Sequence, residues 1–196
     1  MLNRKSVTCL VFVVLLAATL LSRSFASKPE GIDVKPSTYA PAKDLEAQVA
    51  EFMDRIEMDL ESAGEYGEDQ QDRVVKNGNT LAVIALVLSN HEDAVSLKAP
   101  AAKMIEASLN LAEAAGDYTK AKSAFAHLQA VLNSSGQQQP LKWESVGDIS
   151  ELMLQVPILN TSLRRGVLGR RFSTSKDKSA ALAATLAAIA HISVYD

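Results

Sequence analysis

The sequence predicts an all-α fold, an up-and-down bundle of five or six helices, and three observations lead there. Leu45, Val49, Phe52, Ile56, Leu60 and Ala63 recur at steps of three and four, the period of one helix face. Leu81 to Leu88 is apolar on every side, as a helix covered from several directions must be. The chain closes on an alanine-rich helix in which Leu182, Leu186 and Ile189 share a face. No stretch carries a convincing two-residue alternation for a strand.

The first 26 residues read as a secretory signal peptide. Arg4 and Lys5 precede the apolar run Val7 to Leu21, and Ser24-Phe25-Ala26 supplies a small-x-small cleavage site before Ser27. The run is shorter than the roughly 20 residues a membrane span needs, so no span is expected after cleavage. The expected location is the periplasm or the exterior. Removing Arg4, Lys5 and Arg23 leaves 17 basic against 23 acidic residues, a balance ill suited to nucleic acid. The only cysteine, Cys9, goes with the same segment. The remaining 170 residues therefore rely on their core rather than on disulfides.

Residues 27–41 hold Pro, Gly and Ser without an apolar period and read as an extended leader to one helical-bundle domain over 42–196. The first helix carries the stripe named above, with Met53 flanking it and Met58 pointing away, and Gly64 and Gly67 end it. The second runs from Val74 to His91, with Asn77-Gly78-Asn79 as a break or as a cap for its continuation. Met104, Ile105, Ser108, Leu111, Ala112 and Ala115 line a third helix. Tyr118, Ala121, Phe125, Leu128 and Leu132 line a fourth, across the turn at Gly116-Asp117. The Gly-Asp-Tyr…Ala…Phe spacing resembles half of a tetratricopeptide repeat, but Leu109 and Ala112 depart from it and no second copy follows, so a generic helical hairpin is expected. After the polar linker 133–140, Trp143, Val146, Ile149, Met153 and Val156 predict a short helix that Pro157 stops. Residues 160–178 read as irregular and basic, and the last helix as starting near Ser175 or Lys176.

Few residues suggest chemistry. No phosphate loop follows a strand, no thiol remains after cleavage, and the histidines stand alone rather than in metal-ligand pairs, so no enzymatic activity is expected. Arg164, Arg165, Arg170 and Arg171 could hold carboxylate or phosphate by paired hydrogen bonds. An acidic protein, anionic lipid headgroups and haem propionates all satisfy that chemistry, as does a solvated loop balancing an acidic surface.

Ala187-Ala188-Ile189-Ala190-His191 has the spacing of a Cys-x-x-Cys-His haem attachment motif, with alanine at both cysteine positions and the histidine kept. Placed near the end of the last helix of an exported bundle, it resembles the cytochromes c-prime and their haem-b relatives. The resemblance implies haem held by coordination alone and an electron-transfer role, with His191 as iron ligand. It further implies Met53 as the second ligand, with Arg164 or Arg165 on a propionate. The competing expectation is a haem-free helical interaction or scaffold module of the cell envelope, holding another envelope protein through its grooves or its arginines. Either reading leaves room for an oligomer.

Overall fold

The computed structural model describes residues 34–134, 140–168 and 172–196, all within the compact unit Asp33–Asp196. The predicted signal peptide, the leader up to residue 33, and Arg170 and Arg171 lie outside the described residues. Six α-helices and no strand occur among those described: α1 Ala42–Asp59, α2 Glu68–Ser89, α3 Ala101–Ala114, α4 Tyr118–Leu132, α5 Ile149–Val167 and α6 Phe172–Ile192. Single 3-10 turns stand at Pro36–Thr38 and Ser96–Lys98. None of these helices is long and apolar enough to cross a membrane.

The all-apolar segment of α2 is the centre of the fold. Leu81 to Leu88 are each buried, and α2 packs against α1, α3, α5 and α6. Helices α1, α2, α5 and α6 form a four-helix group, with α1 and α5 each touching both α2 and α6. The α3–α4 hairpin is added outside it, α3 lying on α2 and α4 on α3. Asp117 caps α4 by accepting from the Lys120 N–H at 3.0 Å. The predicted stripe of α1 is buried from Leu45 through Val49, Phe52 and Ile56 to Leu60, whereas Ala63, predicted to extend it, is exposed because the helix already ends at Asp59.

Three expectations about helix limits are corrected. Asn77-Gly78-Asn79 neither breaks nor caps α2, which runs unbroken through it from Glu68 to Ser89. The three residues point in successive directions and each meets a different neighbour. Asn77 Oδ1 accepts from Gln155 Nε2 of α5 at 3.1 Å, and Asn79 Oδ1 accepts from the Asp148 N–H at 2.7 Å. Gly78 lies against α3 so closely that a Cβ there would stand 2.8 Å from the Ser108 carbonyl oxygen. The polar trio is thus a set of tertiary joints that look like a helix terminus in sequence.

Pro157 does not end its helix either. Helix α5 starts at Ile149, capped by Asp148 accepting from the Ser150 N–H, and continues to Val167. A proline within a helix removes one i→i−4 hydrogen bond. Here the carbonyl left over belongs to Met153, and both residues are exposed, so solvent can satisfy it. Trp143 and Val146 precede α5, and its buried residues are Leu152, Gln155 and Leu159 rather than Met153. Residues 160–167 are accordingly helical, and α6 begins at Phe172, not Ser175.

The leader also departs from the expected tether over its described part. Pro36 and Ala40 are buried. His91, itself buried, contacts the Ala40 carbonyl through Nε2 at 3.1 Å and accepts the Asp93 N–H at Nδ1. With Nδ1 accepting, Nε2 carries the proton and donates to Ala40. The Ser37 N–H donates to Glu92 Oε2 at 3.2 Å.

Candidate functional site

The residues predicted to surround a haem lie at two ends of the molecule. Tyr39, just ahead of α1, stacks on the His191 ring at 5.0 Å, whereas Glu51, in the middle of α1, pairs with Lys178 of α6 at 2.6 Å. Helices α1 and α6 are therefore antiparallel. Met53 lies beyond Glu51, at the Lys178 end. From Lys178 to His191, α6 rises about 20 Å. Arg164 and Arg165 occupy the last turn of α5, next to Gly166, whose carbonyl accepts from Ser175 Oγ of α6 at 2.8 Å. They too stand at the end remote from His191.

His191 is enclosed by aromatic rings. Besides Tyr39, Trp143 meets it edge-on at 4.7 Å and Tyr195 lies 5.6 Å away. Trp143 and Tyr195 are themselves stacked at 6.2 Å. The alanine side of α6 is partly covered, Ala181, Ala184 and Ala188 being buried along with Leu182 and Ile189 while Ala180, Ala183 and Ala190 are exposed. His191 Nε2 is covered by protein and lacks a hydrogen-bond partner, as does the Tyr39 hydroxyl. Burial pushes the His191 imidazole below its ordinary value. Burial, reinforced by Tyr195 and Glu92, raises the Tyr39 phenol well above its own.

This arrangement does not fit the haem that the resemblance implied. The nitrogen that would take iron is covered, and neither the thioether nor the guanidinium groups reach that end. Two axial ligands must meet at one iron, and Met53 and His191 cannot do so with α1 and α6 paired as they are. What the ring cluster does instead is mechanical. Tyr39 comes from the leader, Trp143 from the α4–α5 connection and Tyr195 from the C-terminal turn, and His191 joins all three. Such ring pairs contribute about 0.5–1.5 kcal/mol each beyond simple burial. Among the described residues no group of three or more His, Cys, Asp or Glu side chains could hold a metal ion.

A second feature lies on the outer side of α5. Met153, Leu154 and Ile158 are exposed, Leu154 by 55%. Their positions relative to one another place them on adjoining parts of one helix face. Ile158 also lines a cleft of about 320 Å³ with Met58 of α1, which is 73% exposed, and with Arg55, Arg73 and Asn77. Leu154, Ile158, Thr161 and Arg165 recur at helical spacing and are all exposed, so the apolar face runs on into the basic end. A larger cleft of about 570 Å³ lies between α2, α3 and the start of α5; Glu113 and Glu151 line it without a basic residue among its neighbours.

Sequence reasoning singled out His191 but not Tyr39 or Trp143, which are remote in the chain and carry no motif. Met58 was the one legible sign of the outer face, because it points away from the stripe of α1. No known protein family, curated protein or solved structure matches this chain.

Proposed function

We propose that this chain is an exported, non-enzymatic helical interaction module that binds through the outer face of α5, rather than a haem-carrying electron-transfer protein. The observation that carries this reading is the run of exposed Met153, Leu154 and Ile158 beside exposed Met58. Adjoining large apolar side chains left in water mark a binding surface, whereas single scattered ones do not. The four helices packed on α2 already bury its apolar segment, so this outer face is not needed to complete the core.

Accessibility labelling tests the reading. Ile158→Cys introduces a thiol into a chain whose only other cysteine is Cys9. In purified protein a maleimide should modify it quickly, because Ile158 is exposed. In intact cell envelopes the same site should be shielded. Equal labelling rates in the two preparations would mean that the face is bare in its native setting, and the reading would fail.

A further inference from the structure

We infer that the surface which occupies this face is an anionic phospholipid bilayer, engaged by the basic and apolar C-terminal end of α5 together with Phe172 at the start of α6. The inference rests on the reading of the α5 face as a binding surface and names its partner. From Leu152 to Leu168 the chain carries Arg164 and Arg165 and not one acidic residue, although acidic residues outnumber basic ones overall. Arg164 and Arg165 are exposed and form no ion pair with a described residue. Beyond them Leu168 is 66% exposed and Phe172 52%, with Val167 exposed as well.

Cations and large apolar side chains adjoining at one end are the two signals that stable attachment to a bilayer surface combines. The arginines meet lipid phosphates, while Leu168 and Phe172 enter the boundary between headgroups and acyl chains. An acidic protein partner would match the charge equally, but none of the clefts described above is lined by Arg164, Arg165, Leu168 or Phe172. Residues that project without a cleft suit a deformable, laterally continuous surface better than a shaped ligand. Repulsion from the acidic remainder of the molecule is weak at this end, because exposed charges more than about 8 Å apart are largely screened at physiological salt.

The test is sedimentation of the purified full chain with phosphatidylglycerol vesicles and, separately, with phosphatidylcholine vesicles. The expected result is partitioning onto the anionic vesicles that far exceeds that onto the zwitterionic ones. It should fall by roughly 25-fold in the double variant Arg164→Gln, Arg165→Gln, since each arginine near an anionic surface is worth about fivefold. Leu168→Asp should lower it as well. Both changes lie at exposed positions, so the circular dichroism spectrum should be unaltered. No partitioning onto phosphatidylglycerol, or partitioning that neither variant reduces, overturns the inference. If Ile158→Cys is shielded in envelopes while phosphatidylglycerol vesicles fail to bind, the partner is a protein, and only the lipid inference falls.

Discussion

At the scale of single residues, His191 illustrates how burial and packing override a motif. Its neighbours are three rings drawn from distant parts of the chain, and they hold it below its ordinary pKa of about 6.5. The unfolded chain therefore takes up this proton first as pH falls. The contribution is fully present above about 6.5 and is lost as the pH drops through that value toward the lower folded one. His191→Phe retains a ring in the cluster and removes the titration. Thermal melts between pH 7.5 and 5 should show a smaller acid-side loss for the variant than for the wild type, and an equal loss would refute the assignment. Gly78 makes the corresponding point for backbone packing. Alanine is favoured over glycine inside a helix by roughly 1 kcal/mol, yet here its Cβ would press on the Ser108 carbonyl at 2.8 Å and on Ala112 at 3.1 Å. Overpacking of this kind costs about 1–3 kcal/mol. Gly78→Ala is expected to lower the melting temperature, and a rise would show that α2 and α3 can separate without cost.

The helices were legible in the sequence to different degrees, for physical reasons that differ from one to the next. The stripe of α1 and the wholly apolar part of α2 announce themselves because every core position is an apolar residue. Leu86 is 1% exposed, and truncating such a leucine to alanine costs roughly 2–5 kcal/mol. Leu86→Ala should therefore depress the denaturation midpoint strongly; an unchanged midpoint would mean that α2 is not central. Helix α5 was harder to read because one of its core positions is Gln155, whose amide is satisfied by Asn77. A polar residue on the buried side hid the true stripe Leu152, Gln155, Leu159 and left Met153, which is exposed, as the apparent core residue. Pro157 and the arginines then suggested a stop, although the proline lies on the solvent side, where its missing hydrogen bond is cheap. The Asn-Gly-Asn of α2 misled in the same way. Turn-forming residues carry their usual meaning only when the partners they need are local, and here the partners are on α3, α5 and the connection before it.

At the scale of the whole molecule, the antiparallel pairing of α1 with α6 sets apart the residues that the resemblance would have gathered around one haem. It sets His191 beside Tyr39 and carries Met53 to the end marked by the Glu51–Lys178 pair. Arg164 and Arg165 share that remote end through the contact of Gly166 with Ser175. One end of the bundle is thus closed by an aromatic cluster, while the other and the outer side of α5 present apolar and basic groups to solvent. Separation of the proposed ligands along the long axis is invisible to spacing arguments, because each residue was judged on its own helix. The absorption spectrum of protein isolated from its own cell envelope, followed by haem titration of the wild type and His191→Ala, tests this account most directly. The account predicts no Soret band in the isolated protein and the same weak, broad response to added haem in both forms. A sharp Soret band in the isolated wild type that is absent from His191→Ala would contradict it.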